Sequence, residues 1–287
     1  MTDFIPSEKG VPIRFPSSAY FNIDSTDRFS VTGPVVGESA GNFAINRNLN
    51  MLNGFFTRLA IQEVYCDWCI DNISSAWDNN VFTVDISGAP VSFGVTLPGG
   101  NWNVQEVLDY IVQELNLLTA PTYVFSLGTT PYGAKTLDLS GGSFSVLPSN
   151  LQAQLNITAN AFGVSYPIAC PKLLGVTYVD FTSPILTQNQ DVNDSTTNFV
   201  SRNLLYRWWL AWEDETSYDS YGYPVYQGYK PFIARRFLAF PKQIQWPSNQ
   251  PLGSLTFQVY TSTGDLVPPS GTAGEFEWGM MILASEV

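Results

Sequence analysis

The sequence predicts a mainly β protein, an antiparallel sandwich interrupted by a small α+β unit, and three observations carry that prediction. Gly occupies 22 positions and Pro 19 of 287 residues, the punctuation of many short strands joined by turns. Aromatic residues make up 14% of the chain and charged residues only 13%, which favours broad buried sheet faces over solvated helices. Only one segment carries a clean helical period, whereas alternating β-branched and aromatic runs recur along the chain.

The elements follow in order. Pro6, Pro12, Pro16 and Pro34 break the first forty residues, and short apolar pieces such as Tyr20-Phe21-Asn22-Ile23 suit an extended arm more than a packed element. The arm proper is assigned to residues 1–18. From Phe43 to Ile70 polar turns alternate with apolar runs, and Phe55 to Tyr65 predicts a long strand central in its sheet. From Asp78 the pattern tightens: Val81 to Ile86, the turn Ser87-Gly88-Ala89-Pro90, then Val91 to Leu97 read as a hairpin, with Val91, Phe93, Val95 and Leu97 sharing a buried face. Pro98-Gly99-Gly100 stops it. Asn103 and Glu106 have the spacing of a capping box, and Val104, Val107, Leu108, Ile111, Val112 and Leu115 form one helical stripe. Strands are then predicted at Tyr123–Leu127, Ala134–Leu139 and Phe144–Leu147, and a second helix from Ser149 to about Ala159, where Leu151 and Leu155 lie four apart. The unit is assigned as ββαββα over residues 80–179, with helices on one face of an antiparallel sheet, although the three strands predicted after the first helix are one more than that order holds.

Sandwich-type strands resume beyond it at Leu204–Trp212, Phe232–Phe240, Leu252–Tyr260 and Phe276–Ala284. Trp208, Trp209 and Trp212 read as core, since a strand aromatic on both faces is usually covered on both. The sandwich itself is assigned to residues 19–79 plus 180–287. Between its strands lies a polar loop with Glu213-Asp214-Glu215 and Asp219, followed by Tyr218, Tyr221, Tyr223, Tyr226 and Tyr229. Tyrosine combines rigid contact area with a hydrogen-bonding tip, so this loop, together with Phe4, Ile5, Pro12 and Phe15 of the arm, is the candidate contact surface. The plain alternative is a loop packed on its own domain.

Chemistry is constrained as sharply. The chain has no histidine, which removes Ser-His-Asp and Cys-His systems and the commonest metal ligand. Cys66-Asp-Trp-Cys69 has the spacing of half a zinc or redox site, but only Cys170 remains to complete it, and the plainer reading is two small half-buried thiols. An odd cysteine count without a signal peptide points to free thiols, and the sequons at Asn72, Asn156 and Asn193 then read as chance. Asp191-Val-Asn193-Asp194-Ser195 fails as a calcium loop at Thr196 and Arg202. The carboxylates of the acidic loop are contiguous, where glycoside hydrolysis needs an opposed pair. No catalytic residue, cofactor or metal site is assigned, and no enzyme is expected. A net charge of −12 with 13 Lys and Arg argues against direct nucleic-acid binding. No apolar run reaches the roughly 18 residues of a membrane span, so a soluble chain made without a secretion signal is expected.

Certain residues carry a more specific likeness. Asp71-Asn72-Ile73, Asn79-Asn80-Val81-Phe82, Val95-Thr96-Leu97-Pro98-Gly99-Gly100-Asn101-Trp102-Asn103, Leu115-Asn116 and Leu173-Leu174-Gly175-Val176 resemble the pattern of minor capsid or penton-type proteins of icosahedral DNA viruses, virophages and polinton-like viruses in particular. In that pattern Trp102 stands where tyrosine is usual, Asn103 where threonine is, and Val176 where phenylalanine is. The resemblance implies a jelly-roll sandwich and a structural virion protein, five copies at a vertex or several binding major capsid capsomers, with itself and the major capsid protein as partners. The competing reading is a receptor- or glycan-binding spike or tail module.

Overall fold

The computed structural model describes residues 18–30, 33–34, 38–46, 56–131, 133–168, 171, 173, 176–188, 203–210, 216–218, 224–226, 231–247, 252–272 and 274–286. Its principal strands are β1 (Ser18–Asp24), β2 (Asn42–Asn46), β3 (Arg58–Trp68), β4 (Val81–Ile86), β5 (Phe93–Thr96), β6 (Val124–Thr129), β7 (Lys135–Ser140), β8 (Phe144–Val146), β9 (Ser165–Pro167), β10 (Tyr178–Thr182), β11 (Leu204–Trp209), β12 (Phe232–Phe237), β13 (Gln243–Gln245), β14 (Ser254–Thr261) and β15 (Glu277–Ser285). Helices α1 (Val104–Thr119), α2 (Asn150–Gln154) and α3 (Pro184–Thr187) lie among them.

Two antiparallel sheets make the sandwich. One runs β1-β15-β3-β12, with β13 continuing the β12 edge along β3, and the other runs β2-β14-β10-β11. Counting the sandwich strands along the chain, with β12 and β13 as one interrupted strand, the sheets read first-eighth-third-sixth and second-seventh-fourth-fifth. That interleaving is a jelly roll, since each sheet takes strands from both ends of the chain.

The inner faces follow from period two. β3 points Leu59, Ile61, Val64, Cys66 and Trp68 inward, and β15 points Trp278, Met280, Ile282 and Ala284. Ile61 and Val64 face the same way although three apart, because the pairing with β15 skips Gln62, a bulge that resets the alternation. Trp278 joins the sheets: its ring lies 5.7 Å from Phe43, 5.4 Å from Phe257 and 5.1 Å from Phe181, and its indole N–H donates to the Ala40 carbonyl at 2.7 Å.

Tyr20 to Ile23, expected in an arm, belong instead to β1, paired residue for residue with β15. Burial alternates along β1, with Ala19, Phe21 and Ile23 on its covered face, but exposed Tyr20 sets an aromatic on the bare face and hides the period in the sequence. Trp209 is likewise exposed while Trp208 is fully buried, because β11 is an edge strand with one face to solvent. Trp212 lies outside the described residues.

Between β3 and β10 the chain builds a second apolar cluster, running from Ile73 to Leu173 and separate from the sandwich core. Its strands form two three-stranded sheets, β8-β4-β5 and β9-β7-β6, against which α1 packs. The observed order is ββαβββαβ, which holds all three strands expected after α1 and adds β9 at the end. The strand not expected is β9, only three residues long and ending on Pro167, too short to show a period in sequence. The α1 capping box is present, with Asn103 Oδ1 accepting from Glu106 N at 2.9 Å and Glu106 Oε2 from Asn103 N at 2.9 Å. Helix α2 stops well before Ala159, because Asn156 turns left-handed at φ 53°. In the β4–β5 hairpin Val95 and Leu97 are buried, but Val91 is exposed beyond the paired residues.

Candidate assembly surfaces and the junction

Three of the segments that carry the sequence likeness, 71–73, 79–82 and 95–103, meet at the root of the inserted unit. Asn72, 4% exposed, donates from Nδ2 to the Trp102 carbonyl and accepts at Oδ1 from the Trp102 amide, both at 2.8 Å. Asn79, fully buried, donates to the Asn72 carbonyl at 2.7 Å and accepts from the Ser74 amide at 2.9 Å. Ile73 and Gly100 exchange backbone hydrogen bonds at 3.1 and 3.0 Å. A side-chain amide offers a donor and an acceptor on one planar group, so it can stand in for a missing strand neighbour. Asn72 does so for Trp102. Its burial and its two bonds also remove it as a glycosylation acceptor in the folded chain.

Asp71 ties this root to the sandwich. Its Oδ1 accepts from the Thr272 amide at 3.0 Å and hydroxyl at 2.7 Å, and its carbonyl from the Trp77 indole at 2.8 Å. Gly271 passes so close that a Cβ there would sit 2.2 Å from the Cys69 carbonyl oxygen, which explains why no side chain is present. A groove of about 600 Å³ between Trp77, Asp78 and Gln154 on the insertion side and Thr263 and Asp265 on the sandwich side borders this junction.

The outer sandwich faces carry ion pairs beside exposed Tyr20, Trp209, Ile233 and Phe237. Arg207 grips buried Asp180 through two bonds, 2.7 and 2.9 Å, and lies 3.9 Å above the Tyr178 ring. On the other sheet Arg235 pairs with Glu63 across β12 and β3, which raises the guanidinium pKa, chiefly through that hydrogen bond. Beside this pair Glu277 faces Asp67 in direct cross-strand register. Burial first, then the charges of Asp24, Asp67 and Glu275, push the Glu277 carboxyl above its ordinary value, with Arg28 opposing.

Cys66 and Cys69 are buried rather than half-buried. Burial above all drives the Cys66 thiol far up and pushes Cys69 up to about 11, so neither is a nucleophile at neutral pH. Among the described residues no cluster of three or more His, Cys, Asp or Glu is arranged to hold a metal ion. No helix among them is long and apolar enough to cross a membrane.

Phe4, Ile5, Pro12, Phe15, Tyr221, Tyr223 and Tyr229 lie outside the described residues, as do Cys170, Glu213, Asp214, Glu215 and Asp219. Tyr218 and Tyr226 fall in a small hairpin, Thr216–Tyr218 against Pro224–Tyr226, so the tyrosine segment contains paired strands where a loop was expected. Isolated three-residue strands leave no period to detect.

The architecture defined by these strands is a single jelly roll with an α+β unit between its third and fourth strands. Among solved structures, the crystal structure of the mavirus penton protein is similar to this chain with a TM-score of 0.50 and 11% identity, covering 94% of this chain and 100% of that one. Coverage so complete includes both apolar cores. A chain of the Sputnik virophage structure aligns with a TM-score of 0.40 and 10% identity over 93% of this chain and 97% of that one. No family model matches the sequence, and no curated protein does. The likeness to penton-type proteins drawn from residues 71–176 is thus met again at the level of the fold.

Proposed function

We propose that this chain is a structural component of an icosahedral virus particle, a penton or minor capsid subunit that assembles with copies of itself and with major capsid capsomers. The observation that carries the reading is the full-length likeness to the mavirus penton fold, insertion included. The chemistry agrees with it: buried thiols with raised pKa values, ion pairs spent on sheet faces, and a junction built for rigidity. In this reading residues 1–18 are the arm, 19–79 and 180–287 the roll, and 80–179 the inserted unit. The roll supplies the wedge that neighbours pack against, and the insertion stands clear of it on a hydrogen-bonded root.

Native mass spectrometry of the purified protein tests the proposal. Rings or pentamers, and co-assembly with major capsid capsomers, are the expected result; a strict monomer that binds glycans on an array would overturn it in favour of a receptor-binding module. Removing residues 1–17 is expected to weaken assembly while leaving the thermal transition in place. Removing residues 1–24 also strips β1 from β15 and is expected to unfold the roll, because seven paired residues and buried Ile23 are lost.

A further inference from the structure

The end of the inserted unit farthest from its root is apolar, with one carboxylate, Asp85, at its border. β4 leaves the root at Asn79 and reaches its turn, 87–92, six residues on, about 20 Å away. Helix α1 leaves the same root at Asn103 and ends at Thr119 after sixteen residues, about 24 Å. Segments 117–124, 141–143 and 162–164 join that turn at one end. The Ser87 amide donates to the Ser143 carbonyl, Gly142 lies against Tyr123 and Ile86, and Gly163 exchanges backbone bonds with Phe144. Phe162 and Val91 line one shallow depression there, with Asp85 at its border.

Six large apolar side chains stand out from this end, Val91, Leu117, Leu118, Val124, Phe162 and Val164, each between 49% and 69% exposed. Stretches 86–105, 115–134 and 139–171, which supply this end apart from Asp85 at its border, contain no Asp, Glu, Lys or Arg, in a chain of net charge −12. Exposed apolar patches of this kind mark contact sites.

We propose that this distal end is a docking surface for a second copy of the chain; the inference rests on the self-assembly proposed above. Charge argues for a second copy. Two chains of net charge −12 repel over most of their surfaces and approach at least cost where both are uncharged. Area argues the same way. At roughly 100 Å² of exposed surface each, six such side chains bare about 600 Å², close to the roughly 800 Å² per partner of a standard interface once flanking loop atoms are added. A bilayer fits worse, because these side chains sit on turns whose backbone polar groups would be stranded in hydrocarbon, and no cation is present to recruit anionic headgroups.

The test compares wild type with V91D/F162D and, as an independent variant on the helix end, L117K/L118K, by sedimentation velocity across a concentration series, with circular dichroism melts as the folding control. The expected result is self-association weakened at least tenfold in one or both variants whose melts match wild type. Wild-type-like association in both folded variants would overturn the docking surface while leaving the capsid reading standing. A wild-type chain that stays monomeric would overturn both. Flotation of the wild type with neutral phosphatidylcholine vesicles, lost in V91D/F162D, would overturn the second-copy assignment in favour of a lipid surface.

Discussion

Replacing Asn72 with alanine tests the claim that the junction is held by side-chain amides acting as a surrogate strand. The wild-type side chain makes two 2.8 Å bonds to the amide and carbonyl of Trp102 and is itself 4% exposed. Two net hydrogen bonds are worth about 1 kcal/mol each, and a polar group left unpaired in a buried site costs about 1–3 kcal/mol more. Trp102 is half-buried, so water can rescue part of this, and the expected loss is about 2–4 kcal/mol. With a urea slope of about 2 kcal/mol/M, the midpoint falls by roughly 1–2 M. Asn80→Ala is the control, because its single bond to the Leu97 carbonyl is long at 3.4 Å and half-exposed, and about 0.5 kcal/mol is expected. Urea titrations read by circular dichroism, with hydrogen exchange on the 97–103 peptide, measure both. Equal costs for the two variants, or a loss below about 1 kcal/mol for Asn72→Ala, would refute the surrogate-strand argument.

Gly271→Ala is expected to destabilise by several kcal/mol, about 3 or more, in the same titration, since its Cβ would meet the Cys69 carbonyl at 2.2 Å and the Asp71 amide at 2.9 Å. Glu277→Gln should raise Tm at pH 7. The native state holds the Glu277 proton more tightly than the unfolded chain, so its contribution is fully present at low pH and is lost as pH rises through the ordinary value of 4.5 toward the raised folded one. The gain over wild type should therefore vanish below about pH 4, and a Tm difference independent of pH would exclude the charge explanation. Iodoacetamide at pH 8, read per residue by mass spectrometry, should leave Cys66 and Cys69 unlabelled in native protein and label both in urea; prompt native labelling of Cys66 would contradict its burial.

Where one face of an element is buried over several residues, the sequence alone located it. The Asn103–Glu106 box, the α1 stripe and β3 are of this kind, because capping chemistry and long alternation are local properties. The misses have equally local causes. β9 is too short to show a period, the bulge at Gln62 hides the true inner face of β3, and edge strands β1 and β11 mix covered and bare residues on a single run. Which sheet each strand joins is not local at all. The first-eighth-third-sixth order pairs Ser18 with Ser285, and nothing near either residue encodes the other.

The same distinction explains why the residues that signal kinship and those proposed to make contacts lie apart. Asn72 and Asn79 are dictated in detail, since only an amide of that length can give one donor and one acceptor to fixed backbone atoms. A residue so constrained leaves a readable pattern in sequence. The distal end needs only to be apolar and free of charge, a condition that valine, leucine and phenylalanine meet equally, so it leaves no pattern beyond the missing charges in 86–105, 115–134 and 139–171. A pattern search therefore finds the root of the insertion, and only the fold brings Val91, Leu118 and Phe162 to the same end of it.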